Sequence, residues 1–209
     1  MRVAIHQPHY WPWLGYLQKM KEADLFVYLD KVAYEKNGFQ NRNRFLINGK
    51  EHWLTVPVLT KGKLGQLIKD VKVNWDNSWN KKQYHTLLYN YSEAMKRENG
   101  ALKAFFEWDG KLLVDWNIKS IDFLCNIYEI NTRRVFESEL NVGGAGSERL
   151  VNICRAVGAD TYLSGPTGRE YLKEEMFGDI KVEYMDWKPK GHLSTLHYYL
   201  KRNLKVIEV

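Results

Sequence analysis

The sequence has little cysteine and no long apolar run. Its two cysteines, Cys125 and Cys154, stand among apolar residues with helical spacing, which indicates reduced thiols in a core rather than a disulfide-stabilised fold. No run approaches the ~18 apolar residues that a transmembrane helix needs. The N-terminus turns polar after three apolar residues, so it does not look like a secretory signal. Together these absences predict a cytoplasmic protein without a membrane segment.

Proline, internal repeats and low-complexity linkers are also scarce. The chain has five prolines in 209 residues, of which 44% are hydrophobic and 27% charged. That composition excludes a disordered chain, and the length fits one domain that carries insertions. Aromatic residues are abundant instead, with eight Trp, thirteen Tyr and eight Phe.

The positive charge is concentrated in one segment. The net charge is +6, and residues 31–63 hold seven basic and two acidic side chains, which accounts for most of the excess. A basic segment attracts phosphate-bearing partners such as nucleotide sugars, lipid phosphates, nucleic acids or membrane surfaces. A solvated hairpin with lysines along its edges is the alternative.

Apolar periodicity predicts an α/β fold. Residues 2–6 and 25–29 form short apolar runs, and residues 13–23 between them have helical spacing, so the first two strands are expected to be parallel. Further strands are predicted at 132–137, 160–163 and 181–185, with helices at 146–157 and 168–176. We therefore expect a Rossmann-like, open and mostly parallel sheet in a single domain spanning residues 1–209.

Two insertions interrupt this α/β pattern. Residues 31–75 read as antiparallel structure, because Asn48-Gly49 separates two β-rich runs and residues 70–75 resemble a further strand. Residues 77–129 read as helical, with Ser78 or Asn77 as the first cap and breaks at Gly100 and Gly110.

The loop after the first strand is the strongest candidate for chemistry, because ligands of open α/β sheets bind beyond the carboxyl ends of the strands. His6 and His9 lie three residues apart there, and a neutral imidazole can take a proton near pH 7. We expect both to be catalytic, with Gln7, Tyr10 and Trp13 binding substrate. A packed Trp/Pro turn is the alternative, and no metal site is expected because no third ligand stands nearby.

Two further segments are predicted to bind substrate. Asp30 follows the second strand, where an acid can hold a sugar hydroxyl or simply cap the strand end. The run from 41 to 44 lies in the basic insertion, where arginine forks can bind a phosphate and an exposed turn is the alternative; its residues are Asn41, Arg42, Asn43 and Arg44.

Two later loops also precede predicted helices. Gly143 and Ser147 flank a glycine-rich turn that could bind an anion, or that could be a flexible loop with Ser147 as the helix cap. The loop after the strand at 160–163 holds Ser164, Gly165, Thr167 and Tyr171. It lacks the flanking glycines of a nucleophile elbow, so we expect substrate binding rather than serine-hydrolase chemistry. A turn that merely starts the next helix is the alternative.

Five segments resemble the WbqC-like family, in order along nearly the whole chain. They are residues 5–16 (IHQPHYWPWLGY), 23–27 (ADLFV), 41–44 (NRNR), 53–58 (WLTVPV) and 161–165 (TYLSG). The resemblance implies a protein of bacterial surface-polysaccharide (O-antigen, lipopolysaccharide) biosynthesis that transfers a glycyl, aminoacyl or acyl group to a sugar. His197 stands where the family usually has an acid, so no role of that acid is carried over.

A second resemblance concerns the spacing of His6 and His9. It is similar to the H-x-G-H motif of nucleotidylyltransferases with a HUP-type Rossmann fold, in which the histidines stabilise a triphosphate. Pro8 replaces the glycine of that motif, so the resemblance extends to the fold more readily than to adenylyl transfer.

The resulting hypothesis is a transferase that places an acyl or aminoacyl group on an amino sugar of a nucleotide- or lipid-linked sugar. A nucleotidylyltransferase-like enzyme and a non-enzymatic carbohydrate- or nucleotide-binding protein are the alternatives. The sequence identifies no cofactor and leaves a homodimer open. A nucleic-acid partner is not expected, because no RRM or KH signature is present.

Overall fold

The computed structural model of the chain describes residues 1–186 and 191–201. The described chain divides into two compact units. The first contains residues 1–7, 15–31 and 129–186, and the second contains residues 8–14, 32–128 and 191–201. The prediction of a single domain over 1–209 includes residues that lie outside the described ranges and stays a prediction.

The described strands and helices follow one another along the chain as follows. The strands are β1 (Arg2–His6), β2 (Leu25–Tyr28), β3 (Arg42–Ile47), β4 (Lys50–Thr55), β5 (Arg133–Phe136), β6 (Thr161–Ser164) and β7 (Lys181–Tyr184). The helices are α1 (Leu14–Lys21), α2 (Trp79–Asn90), α3 (Ser92–Arg97), α4 (Asn99–Glu107), α5 (Leu113–Ile127), α6 (Gly146–Ala156) and α7 (Thr195–Leu200).

The first unit is built on a five-stranded parallel sheet with the order β5-β2-β1-β6-β7. Counted within this sheet alone, the strand order is the 3-2-1-4-5 arrangement of Rossmann-like folds. The predicted parallel pairing of the first two strands is confirmed, with Val3 opposite Leu25 and His6 opposite Tyr28. The expected Rossmann-like α/β fold is therefore present.

One face of this sheet forms a core with α6. Val3, Ile5 and Tyr162 project from the sheet onto Ile153 and Cys154 of the helix. The amphipathic spacing of α6 explains this packing, because its apolar residues recur every three or four positions. Burial raises the pKa of the Cys154 thiol to about 12, so it behaves as a core residue.

The second unit contains the predicted hairpin of β3 and β4. Asn48 and Gly49 both adopt positive φ angles, of 50° and 74°, as a two-residue hairpin turn requires. The strand predicted at 70–75 is wrong. Ile68–Asp70 forms a short 3₁₀ turn, and the following residues make only isolated bridges such as Val58 with Val73.

The helical insertion is confirmed, but its predicted breaks are partly wrong. Ser78 precedes α2 without capping it through its side chain. The helices are separated at Tyr91 and Glu98, whereas Gly100 lies inside α4 and only Gly110 falls in a gap. Aromatic rings pack these helices against one another. For example, the ring centres of Trp79 and Trp116 lie 4.8 Å apart.

Two predictions near the end of the chain need correction. The helix predicted at 168–176 is absent, and two 3₁₀ turns, Pro166–Glu170 and Glu174–Phe177, take its place. Helix α7 was not predicted, although Ser194 caps it by accepting the N–H of Leu196. Short apolar segments of this kind give little periodicity for a prediction.

Candidate functional site

The carboxyl end of the parallel sheet has a gap in strand pairing between β1 and β6. Pairing of β1 with β6 is limited to Arg2–Ala4, whereas pairing of β1 with β2 continues to His6. The chain leaves β1 towards β2 on one side while β6 lies on the other, which makes this gap the topological switch point of the sheet. Open α/β sheets bind their ligands at such points. We call the region around His6 and Lys19 at this gap the switch-point crevice.

His6 ends β1 and is half-buried in this crevice. Its Nδ1 lies 3.0 Å from the Gln7 carbonyl oxygen, so Nδ1 carries the proton and the basic lone pair is on Nε2. The ring contacts that of Tyr16 edge-on at 4.9 Å. Burial, and after it the charge of Lys19, lowers the pKa of His6 to about 3 against the opposing effect of the Gln7 hydrogen bond. The imidazole is therefore neutral at pH 7.

Lys19 is a site residue that the sequence reasoning missed. It belongs to α1, is 4% exposed, and donates a hydrogen bond of 2.8 Å from Nζ to the Ile5 carbonyl oxygen. Burial lowers the pKa of its amine to about 7. A usable signal was present, because Lys19 follows Tyr16 by three residues and so lies on the buried side of the helix.

Ser164 ends β6 on the other side of the crevice. It is 1% exposed, and its hydroxyl faces the phenol of Tyr162, which lies two residues before it on the same face of β6. The 3₁₀ turn that follows places Gly168 directly against this hydroxyl, since a Cβ built there would lie 2.0 Å from Oγ. Gly165 is half-buried, whereas Thr167 and Tyr171 are exposed.

Asp30 follows β2 at the same edge of the sheet. Its carboxylate is 2% exposed and accepts the N–H of Ser138 at 2.9 Å and its hydroxyl at 2.6 Å. Behind it, the fully buried Glu137 pairs with Arg149 at 3.1 Å. Burial raises the pKa of Glu137, and Arg149 opposes that effect most strongly. Asp30 and Glu137 thus hold the loop after β5 in place.

Gly143 and Ser147 lie in the loop and first turn that begin α6. The Gly143 carbonyl oxygen accepts a hydrogen bond from Asn152, at 3.2 Å. The predicted capping role of Ser147 is wrong, because Ala145 occupies the cap position. The Ser147 hydroxyl instead accepts the N–H of Lys173, at 3.0 Å.

Gln7 of the loop after β1 belongs to the first unit, whereas residues 8–14 belong to the second. Tyr10 is fully buried and its hydroxyl donates to Gln83 Oε1 at 2.9 Å, and burial raises its pKa. His9 is buried 5.9 Å from the ring of Phe39, and Trp13 is half-buried in a bridge with Ser194. The two predicted catalytic histidines thus fall in different compact units.

The hairpin divides the run from 41 to 44 into two kinds of residue. The two asparagines are buried and structural, since Asn41 Nδ2 donates to the Val56 carbonyl at 2.8 Å and Asn43 Nδ2 donates to the Trp11 carbonyl at 2.7 Å. Arg42 and Arg44 alternate with them on the opposite, less buried face of β3.

Both arginines lie beside the indole of Trp53, which is 40% exposed. The guanidinium carbons of Arg42 and Arg44 lie 4.2 Å and 5.3 Å from the centre of the ring. Arg44 also pairs with Glu51 at 3.3 Å. Asn41 and Asn43 therefore hold the backbone, and the arginines with Trp53 form a cationic aromatic surface.

His197, which replaces the acid usual in the resembling family, is buried in the second unit. Its Nδ1 lies 2.8 Å from the hydroxyl of Tyr91, which itself donates to the Leu46 carbonyl at 2.8 Å. Because that hydroxyl has one proton, Nδ1 of His197 is the donor in their contact. Burial, followed by the charge of Lys201, lowers the pKa of His197 to about 4.

The described residues contain neither a candidate metal cluster nor a helix that could span a membrane. No group of three or more His, Cys, Asp or Glu side chains within 1–186 and 191–201 could hold a metal ion. In that same part of the chain, every helix is too short or too polar to cross a membrane.

The strand order and the position of its gap define the class of protein, an α/β protein of Rossmann-like architecture with a switch-point crevice. Residues 7–207 match the WbqC-like protein family, and the chain belongs to that family. It is similar to the "Uncharacterized protein Rv1507c" of Mycobacterium tuberculosis (strain ATCC 25618 / H37Rv), with 31% identity over 191 residues, 89% of this chain and 82% of the relative. No solved structure matches the chain.

Proposed function

We propose that the chain is a transferase that binds a phosphate-bearing amino sugar in the switch-point crevice and places an acyl or aminoacyl group on its nitrogen. The substrate would be a nucleotide- or lipid-linked sugar of bacterial surface-glycan biosynthesis. The observation that carries the proposal is the neutral imidazole of His6 at the switch point, with its basic lone pair on Nε2.

In this reaction His6 is the proton acceptor. The sugar amine attacks the carbonyl carbon of the acyl donor and forms the new C–N bond, while its proton passes to His6 Nε2. The bond from that carbon to the leaving group then breaks, and His6 returns the proton to the leaving group. A bound phosphate brings negative charge near the ring and raises its pKa towards the working range.

The hairpin surface of the second unit is a further candidate for phosphate recognition. Arginine guanidinium groups bind phosphate oxygens through paired hydrogen bonds, and an exposed indole offers a face for a sugar or base. Arg42, Arg44 and Trp53 combine both properties on one surface. We assign a phosphate-bearing group and an adjoining sugar or base to this surface.

The experiment is a transfer assay with uridine diphosphate amino sugars and a panel of acyl and aminoacyl donors, read by mass spectrometry. Replacing His6 by Gln removes the basic nitrogen and is expected to lower turnover by about 100- to 10,000-fold. His85→Gln, at an exposed histidine, is the matched control and should keep wild-type turnover. Unchanged turnover in His6→Gln would overturn the role of His6, and sugar binding without any product would favour a binding protein.

A nucleotidylyltransferase-like reaction is a second candidate, favoured by the 3-2-1-4-5 strand order. In that case His6 would face the phosphates of a nucleoside triphosphate at the switch point. Calorimetric binding of ATP or CTP together with release of pyrophosphate would support it. Binding of nucleotide sugars with no pyrophosphate release would exclude it.

A further inference from the structure

A lysine buried in the switch-point crevice has no acidic partner among the described residues. Lys19 is 4% exposed, and Nζ makes one hydrogen bond, to the Ile5 carbonyl oxygen at 2.8 Å. The ring of Tyr162 lies 5.9 Å from Nζ. Among the residues that the structure describes, no Asp or Glu forms an ion pair with this amine. The cation therefore lies in the protein without a counterion of its own.

The Lys19 ammonium has more hydrogen-bond donors than the Ile5 carbonyl can accept. An ammonium carries three N–H donors, and the Ile5 carbonyl accepts only one of them. A buried charge without a partner is costly, so it either loses its proton or acquires an ion of opposite sign. The first response is already visible, because burial lowers the pKa of Lys19 to about 7.

The position of Nζ indicates which ion would be acquired. The Ile5 carbonyl lies one residue beyond Ala4, the last residue of β1 that pairs with β6. Because strand carbonyls point within the plane of the sheet, Nζ lies in the gap between these two strands. Phosphate groups of ligands occupy this part of Rossmann-like sheets.

We infer that Lys19 is a phosphate-binding residue whose ammonium takes an oxygen of the substrate's phosphoryl group in the switch-point crevice. This inference deepens the proposed function and rests on it for the assumption that the substrate carries a phosphate. It gives Lys19 a binding role in addition to its hydrogen bond with the Ile5 carbonyl.

Proton uptake on binding follows from this assignment. The titratable groups that face Nζ are His6 from β1 and the phenol of Tyr162 from β6. Lys19 has the higher pKa of the two, so the proton that accompanies the anion goes first to Lys19. Affinity for the anion should therefore fall by up to about tenfold per pH unit above pH 7.

The test is calorimetry of the full chain with inorganic pyrophosphate as the probe, between about pH 6 and about pH 9, in two buffers of different ionisation enthalpy. Lys19→Met keeps the length of the side chain and removes its charge. Lys21→Met, at an exposed lysine of the same helix, is the matched control. Far-UV circular dichroism and thermal unfolding verify that each variant is folded.

The wild type and Lys21→Met are expected to bind pyrophosphate with proton uptake, and with lower affinity at higher pH. Lys19→Met is expected to bind about 10- to 100-fold more weakly, as the loss of a charge-assisted hydrogen bond implies, and without proton uptake. Wild-type affinity in Lys19→Met, or no pyrophosphate binding by the wild type at millimolar concentration, would overturn the inference.

A third variant separates this inference from the proposed function. His6→Gln should keep pyrophosphate binding and lose transfer activity. If pyrophosphate binding does not depend on Lys19 but transfer still depends on His6, the inference fails and the proposed function stands. If binding depends on Lys19 but transfer does not depend on His6, the phosphate site stands and the proposed chemistry fails.

Discussion

Lys19 Nζ lies 2.8 Å from the carbonyl oxygen of Ile5, one residue past the point where β1 stops pairing with β6. The side chain thus takes the place of the next backbone donor in the sheet. As a result, β1 and β6 stay unpaired at this point, and the Ile5 carbonyl still accepts a hydrogen bond. It also puts an amine of perturbed pKa beside a neutral histidine, and perturbed groups of this kind are common in functional sites.

The first prediction concerns stability and pH. The pKa of Lys19 is lowered from 10.5 to about 7 in the folded protein, so the unfolded chain binds more protons between these values. The free energy of unfolding should therefore rise with pH across this window, by at most about 1.4 kcal/mol per pH unit from this group. Urea unfolding of the wild type and of Lys19→Met measures the effect, since their difference isolates Lys19.

Lys19→Met is expected to be more stable than the wild type near pH 7. This difference in unfolding free energy should shrink as the pH rises towards 9. Ordinary tyrosines keep their protons up to that pH, so they do not contribute to the change. Lys21→Met should follow the wild type throughout. A constant difference between Lys19→Met and the wild type at all pH values would mean that the amine is not perturbed by burial.

The second prediction concerns the turn behind Ser164. A Cβ at Gly168 would lie 2.0 Å from Ser164 Oγ and 3.1 Å from Leu172 Cδ1, so Gly168→Ala should destabilise the fold by about 1–3 kcal/mol. Gly165→Ala is the matched control, because nothing lies within 4 Å of a Cβ there. Thermal or urea unfolding provides the measurement.

The double variant Ser164→Ala/Gly168→Ala removes the clashing oxygen and should recover part of the loss, giving a positive coupling in a double-mutant cycle. Strict additivity of the two single effects would show that Ser164 Oγ does not occupy the place beside Gly168.

The third prediction concerns the hairpin surface. Arg44 pairs with Glu51 in a partly exposed position, and such pairs contribute less than about 1 kcal/mol to stability. Arg44→Gln should therefore leave unfolding nearly unchanged, yet weaken binding of a nucleotide sugar by about tenfold because a phosphate contact is lost. Arg155→Gln, at an exposed arginine of α6, serves as the control, and equal affinity of the two variants would show that the hairpin surface does not bind the nucleotide sugar.

The fourth prediction concerns the buried pair of Tyr91 and His197. Tyr91→Phe deletes the hydroxyl that contacts His197 Nδ1 and the Leu46 carbonyl. Leaving these polar atoms buried should cost about 1–3 kcal/mol in unfolding free energy. Tyr89→Phe, at a side chain that is 80% exposed, should cost almost nothing. Similar small effects in both variants would contradict a tightly hydrogen-bonded pair.

The parallel strands and the hairpin could be predicted because their signals are local. A βαβ unit is fixed by apolar periodicity over about thirty residues, and a two-residue turn needs residues such as Asn48 and Gly49 that tolerate positive φ. The short 3₁₀ turns were missed, since Ile68–Asp70 and Pro166–Glu170 are held by tertiary packing rather than by a repeating pattern.

The candidate site was predictable only in part for a related reason. His6 and Ser164 could be placed at strand ends from the sequence, but that their strands are neighbours in the sheet depends on the strand order. Lys19 was overlooked because a lysine on a short helix is normally solvated. Conversely, Asn43 was predicted to bind substrate. In the folded hairpin its side-chain amide instead donates a hydrogen bond to the carbonyl of Trp11.

The central claim is that the substrate's phosphate and amine lie in the switch-point crevice, and a crystal structure with a bound uridine diphosphate amino sugar tests it most directly. The account predicts a phosphate oxygen within hydrogen-bonding distance of Lys19 Nζ and the sugar amine facing His6 Nε2. A nucleotide sugar bound elsewhere on the protein, with Lys19 still held only by Ile5 and the crevice closed, would contradict it.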